Sequence, residues 1–328
     1  MDHISLGKTG LKVSRLCLGM MTYGSKNSRA WFLNEEESQP ILKHAINLGI
    51  SFWDTANAYS TGVSEEILGR MFKTYGLKRE QHVVATKVYH HMGDTPNEQG
   101  LSRKHIMDQI DASLKRLRMD YVDLYQIHRF DPSTPIEETI DALDAVVKAG
   151  KARYIGASSM FSWQFAQYLY KADLMGKTRF VSMQNHYNLV YREEEREMIP
   201  FCRNEGIGII PWSPMARGFL MGNRGAKKGE GETIRAKTDE YGHGLYYQDD
   251  DYKVVDAVTD VAKKRGVGNA QVALAWILQQ PGVTAPIIGA SKLSHLDDAV
   301  KALSLKLSDD ELKTLTAPYK PHPIRGHS

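Results

Sequence analysis

The stretch Tyr121-Val-Asp-Leu-Tyr-Gln-Ile-His128, with residues 136–149 and 153–156 behind it, decides the fold. Residues 121–127 read as a hydrophobic strand. Residues 136–149 read as a helix that Gly150 stops, and 153–156 begin a second strand. A strand, a helix and a strand in that order form the unit from which parallel sheets are built. His128 falls where the first strand runs out. A strand interior buries polar side chains badly unless they are paired, whereas its C-terminal end opens onto loops and solvent.

The same alternation extends in both directions. Upstream, residues 13–18 read as a strand followed by Gly19. Asn34-Glu-Glu-Glu37 resembles a capping box, opening a helix through Leu48 with Ile41, Leu42, Ala45, Ile46 and Leu48 at helical spacing. Strand 50–53, helix 64–72, strand 82–86 and a helix from Ser102 to Arg118 follow. Downstream come helix 163–174, strand 181–184, helix 193–205 and strand 208–212, then helices 252–265 and 270–279, strand 284–288, and helices 294–302 and 309–315. With 13–18 as a lead-in segment, about eight strand–helix units are counted. Alternation predicts a parallel sheet covered by helices, and the count favours a closed (β/α)8 TIM barrel over an open sheet. A single barrel domain over residues 1–328 is expected, with the helix at 309–315 as a C-terminal addition. The polar, glycine-rich stretch 222–251 has no periodicity; after a strand end it is expected to be a long loop over the C-terminal mouth, a lid or ligand clamp.

In a parallel barrel the strand ends share one mouth. Three consecutive ends carry Asp54 and Tyr59, Lys87, and His128. An acid, a phenol, an ammonium and an imidazole converging there suit general acid–base work. A phenol near pKa 10 is a poor proton carrier at neutral pH, and a neighbouring ammonium is expected to lower that value. Taken singly, each residue has an ordinary use: a packing tyrosine, a solvated lysine, a capping aspartate, a structural histidine. Their joint occurrence at three successive strand ends is what argues for function. His90, His91 and Asp94 lie close together, but nothing fixes further ligands, and no metal is expected.

The composition narrows the classes. Hydrophobic residues make up 42% and charged residues 25% of 328, ordinary for a soluble enzyme. The net charge of +3 arises from 42 basic against 39 acidic residues, with no basic stripe interleaved with aromatics, so nucleic acid is not an expected partner. No apolar run approaches membrane-spanning length and no secretory leader is recognisable, so membrane association is not expected. Cys17 and Cys202 do not form a disulfide framework and fit a reducing cytoplasm. Homo-oligomerisation stays open.

Taken in order, Gly19, Asp54-Thr-Ala-Asn-Ala-Tyr59, Ala85-Thr-Lys87, Gln126-Ile-His128, Gly156-Ala-Ser-Ser159, Gln184, Trp212-Ser-Pro-Met-Ala-Arg-Gly218 and Ile287-Ile-Gly-Ala-Ser291 resemble the aldo-keto reductase superfamily. The resemblance spans about residues 5 to 316 and is closer to the branch with aryl-alcohol dehydrogenases and potassium-channel β-subunits. It implies a (β/α)8 barrel binding NADP(H) without a Rossmann fold, and a catalytic set of Asp54, Tyr59, Lys87 and His128. It further implies cofactor contacts at Gly19, Met20 and Met21, at Asp54 beside the nicotinamide ribose, and at Ser158, Ser159 and Gln184 on the carboxamide. Trp212 takes the ring-stacking position, and Ser213, Pro214, Met215, Ala216, Arg217 and Gly218 run along the pyrophosphate. Gly289, Ser291, Lys292, His295 and Asp298 line the adenosine phosphate end, with Arg235 as an added phosphate contact. Two departures stand out there: His295 replaces a longer donor, and Ala299 a common asparagine.

The activity implied is reduction of aldehydes or ketones. Two alternatives are a cofactor-binding regulatory subunit, against which His128 argues because the channel subunits often carry asparagine there, and a lyase using Lys87 as a Schiff-base amine. Pocket walls are expected from Met21, Tyr23, Trp31, Tyr89, Phe130 and the long loop.

Overall fold

The structure, a computed structural model, describes residues 1–222 and 230–327. It opens with an antiparallel hairpin, β1 (His3–Ser5) against β2 (Lys12–Ser14), in which Ile4 faces Val13 across the pair. Eight parallel strands follow: β3 (Cys17–Gly19), β4 (Phe52–Asp54), β5 (Val83–Val88), β6 (Val122–Ile127), β7 (Ala152–Ser158), β8 (Phe180–Gln184), β9 (Gly208–Ile209) and β10 (Ile287–Ile288). They lie in the order β10-β3-β4-β5-β6-β7-β8-β9. The two sheet edges meet through parallel bridges, Ile209 with Val283 and Trp212 with Ile287. Thr284 N–H donates to Ile209 O at 2.8 Å and Ile287 N–H to Pro211 O at 2.9 Å, so the sheet closes into the expected barrel.

Helices cover the outside: α1 (Glu35–Asn47), α2 (Val63–Thr74), α3 (Arg103–Leu117), α4 (Ile136–Lys148), α5 (Ser162–Leu174) and α6 (Met198–Glu205). The capping box at α1 is complete, with Glu37 N–H on Asn34 Oδ1 at 2.9 Å and Asn34 N–H on Glu37 Oε2 at 3.0 Å. Beyond β9 come α7 (Ile234–Thr238), α8 (Glu240–Leu245), α9 (Asp249–Arg265), α10 (Asn269–Leu278), α11 (Leu293–Ala302) and α12 (Asp309–Thr316).

Two expectations need correction. The lead-in 13–18 is not one strand. Its first part belongs to the hairpin and its last part is the first barrel strand, with Ser14 Oγ donating to Leu16 O at 2.7 Å between them. The stretch 222–251 is not a structureless loop, although residues 223–229 of it lie outside the described residues. It holds α7, α8 and the start of α9; Thr233 and Asp239 cap the first two. Helices of five or six residues are too short to display a helical period in the sequence.

Strand alternation divides the buried apolar residues into two bodies. Leu6, Val13, Cys17, Phe52, Val83, Ala85, Leu124 and Ile210 fill the barrel interior, with the hairpin as its plug. Trp53, Val84, Val88, Tyr125, Ile127 and Cys202 belong to the larger body between strands and helices. Inward positions of β4 and β5 therefore run Phe52, Asp54 and Val83, Ala85, Lys87: apolar at the bottom, ionisable at the top.

Candidate active site

The pleat carries Asp54 and Lys87 to the inner face at the C-terminal mouth. Pairing continues past β4, with Thr55 N–H on Ala85 O at 2.9 Å and Asn57 N–H on Lys87 O at 3.2 Å. The chain then turns sharply through Ser60, Thr61 and Gly62, whose φ values are 51°, 50° and 91°, before α2 begins. That turn sets Tyr59 against Lys87. Thr55 and Ser64 hydroxyls, 2.9 Å apart, tie its two ends together.

Lys87 Nζ uses all three of its donors. It donates to Asp54 Oδ2 at 2.6 Å, Thr55 O at 2.8 Å and Tyr59 OH at 3.1 Å. The other carboxylate oxygen, Asp54 Oδ1, accepts from Gln126 Nε2 at 3.0 Å and Gln184 Nε2 at 2.9 Å. A buried ion pair needs this full set of partners to offset desolvation. Burial alone would drive the Lys87 pKa down, but Asp54 and Tyr59 overcome it and the net direction is up, so the ammonium persists.

Tyr59 departs from expectation. Burial of its phenol raises the pKa more than Lys87 lowers it, so the net direction is up rather than down. The group is a protonated phenol whose oxygen accepts from an ammonium. Its own proton has no acceptor among the described residues and is left for a ligand. His128 contacts it edge-on, with ring centroids 5.7 Å apart, and His90 meets His128 the same way at 4.6 Å. Burial, with Lys87, His90 and Arg129 adding repulsion, holds His128 well below the usual histidine range. Burial and Arg129 bring His90 down to about 4. Both imidazoles are neutral at pH 7.

These groups floor a cavity of about 1010 Å³ that runs from Tyr59 and His128 past Trp212 to Lys292. Of the sequence-derived candidates, Gly19, Met21, Asp54, Tyr59, His128, Ser158, Gln184, Trp212, Ser213, Pro214, Met215, Arg217, Gly218, Arg235, Gly289, Ser291, Lys292, His295 and Asp298 line it. Lys87 stands behind Tyr59. Met20 and Ala216 are buried in the outer body, and Ser159 is buried beside the cavity, accepting from Trp212 Nε1 at 2.9 Å. Trp212 stacks one face on His186 at 4.1 Å between centroids, and His186 stacks in turn on Tyr191. Ser158 Oγ donates to Gln184 O at 2.7 Å.

At the far end, His295 Nδ1 accepts from Ser291 N–H at 3.3 Å and Gln271 Nε2 donates to Asp298 Oδ1 at 2.9 Å. Lys292, just before α11, has no acidic partner among the described residues. Arg217 and Arg235 both reach Asp239, at 2.7 and 3.0 Å, and the Arg235 guanidinium lies 4.2 Å from the Trp31 ring centroid. That contact bridges the loop after β3 to α7 beside the cavity.

Among the five wall candidates Met21 and Trp31 line the cavity. The others do not: Tyr23 is buried with its hydroxyl on Ala290 O at 2.9 Å, Phe130 packs on Trp163 and Tyr168, and Tyr89 sits edge-on to His90. Sequence reasoning gave no role to Gln126 or Arg129. For Gln126 the signal was available, since an amide two residues before His128 must share its face. Among the described residues no three His, Cys, Asp or Glu side chains converge to hold a metal ion, and no helix is long and apolar enough to cross a membrane.

The mouth of the eight-stranded barrel thus gathers a protonated phenol, a buried ion pair and a neutral imidazole, a set suited to proton transfer. The chain belongs to the aldo/keto reductase family, whose pattern matches residues 15–320. It is 44% identical to versiconal hemiacetal acetate reductase of Aspergillus parasiticus, over 99% of this chain and 98% of that protein. It is 43% identical to an aldo-keto reductase of Fusarium vanettenii, covering 100% and 93%. A Schizosaccharomyces pombe protein named among the aryl-alcohol dehydrogenases shares 44% identity, covering 98% and 96%.

Proposed function

We propose that this protein is an NADPH-dependent reductase of aldehydes or ketones, with Tyr59 as general acid, Lys87 and Asp54 as its supports, and His128 orienting the carbonyl. The observation that carries the reading is the directed chain Asp54–Lys87–Tyr59, which ends in a phenolic proton with no acceptor among the described residues. NADPH, when bound, supplies the hydride. A carbonyl oxygen held at Tyr59 receives the phenolic proton, and the developing charge is stabilised by Lys87 through the phenol oxygen. Neutral His128 donates an N–H to the same oxygen. Gln126 and Gln184 keep Asp54 an acceptor for Lys87.

The far end suits a phosphate monoester: Ser291, Lys292 and His295 present donors and a cation at the start of α11, where backbone N–H groups favour anions. This donor set supports NADPH over NADH. Tyr59→Phe is expected to lower kcat for an aromatic aldehyde by about 10²–10⁴-fold while NADPH affinity stays within a few fold. Steady-state kinetics beside a fluorescence titration of NADPH measure both. Undiminished turnover in the variant removes Tyr59 from the role. NADPH binding without aldehyde turnover by the native protein points instead to a regulatory binder.

A further inference from the structure

Arg129 follows His128 at the top of β6 and lines the cavity beside Tyr59, His90 and His128. It is only 9% exposed. Its one hydrogen bond among the described residues runs from Nη1 to His128 O at 2.6 Å. Its Nε is buried with no partner, and no carboxylate pairs with it among the described residues. A guanidinium carries five donors in a planar fork, so most of this one's capacity is unmet.

The neighbouring acids are committed elsewhere. Asp54 has both oxygens engaged by Lys87, Gln126 and Gln184. Asp131, two residues along the chain, is turned to Leu101 N–H at 2.7 Å, to Ser133, and to Thr134 at 2.8 Å. His90 and His128 are neutral, and Lys87 is balanced by Asp54. Among the described residues, then, no carboxylate forms an ion pair with Arg129 at this end of the cavity, in a setting where an unpaired buried charge is costly.

We propose that Arg129 recognises the substrate, and that the preferred carbonyl compounds carry an oxyanion, with a carboxylate as the simplest case, close to the carbonyl group. The inference rests on the reductase reading and adds the substrate class. A carboxylate meeting the fork accepts two parallel N–H bonds, which fixes the substrate's orientation as well as its affinity. Arginine suits this better than lysine because its geometry is bidentate.

The test compares carboxybenzaldehydes with their methyl esters, using NADPH and the native, Arg129→Met and Arg129→Lys proteins. The native protein is expected to favour the acid over the ester by about tenfold or more in kcat/KM. Arg129→Met should erase that ratio, chiefly through KM of the acid, and Arg129→Lys should restore part of it. Three results would overturn the proposal: no acid preference in the native protein, equal losses for acid and ester, or a loss confined to NADPH affinity. If neither aldehyde turns over, titrating benzoate into the NADPH-loaded protein separates the two ideas. Binding that Arg129→Met abolishes keeps the anion site while the reductase reading fails, and no binding sinks the site as well.

Discussion

The lower and upper halves of the same strands obey one pleat and do opposite things. Below, the inward residues of β4, β5 and β6 are Phe52, Val83, Ala85 and Leu124, which pack against the hairpin. Above, they are Asp54, Lys87, Gln126 and His128, which make directed bonds or face the cavity. Apolar contacts are non-directional and tolerate changes of shape if volume is kept. The ionic layer has no such tolerance, since each atom depends on a named partner. Fold and chemistry are thus stacked along one axis and can be perturbed separately.

Breaking the upper layer should have the largest effect. Lys87→Met removes the cation from a buried carboxylate and from the phenol, so turnover should fall at least as far as in Tyr59→Phe. Stability should also drop by about 3–5 kcal/mol, because Asp54 stays buried without its ion partner. Kinetics together with urea denaturation check both. Breaking the lower layer isolates stability: Phe52→Ala is expected to cost about 3–5 kcal/mol in denaturation, with kcat of the folded fraction within about threefold. A proportionate loss of kcat would mean that the two halves are coupled.

Two smaller effects sharpen the comparison. Lys292→Ala should reduce the preference for NADPH over NADH by about tenfold, measured as the ratio of kcat/KM values, with little effect on stability. The pH dependence reports on the imidazoles of the upper layer. His90 and His128 both titrate lower in the folded protein than the unfolded value near 6.5. The unfolded chain therefore binds more protons between about pH 6.5 and about 4, and stability contributed above pH 6.5 is lost as the pH falls through that window. Tm measured from pH 7 to pH 4.5 should decline, and less steeply in His90→Gln/His128→Gln. Identical slopes would mean that other groups set the acid limb.

Much of this was legible in the residues. Alternating strands and helices gave the barrel, and the positions where strands ran out into Asp54, Lys87 and His128 gave the ionisable cluster at its mouth, because period-2 geometry leaves little choice of face. The hairpin was missed because three-residue strands such as His3–Ser5 cannot display alternation. The short helices after β9 were missed for a similar reason. Tyr59 shows a different limit: the sign of its pKa shift depends on how deeply the phenol is buried, which spacing along a chain does not encode. Arg129 was invisible for the same reason, since its significance lies in Asp131 bonding elsewhere, a fact of three dimensions.

Each of the two packed bodies also contains one thiol, Cys17 inside the barrel and Cys202 under the helices. Burial raises the pKa of both, which suppresses the reactive thiolate. A thiol reagent can therefore mark each cysteine only when its own compartment opens. Labelling the two at different times would amount to separate stopwatches for the barrel and its jacket, read by mass spectrometry with no engineered reporter.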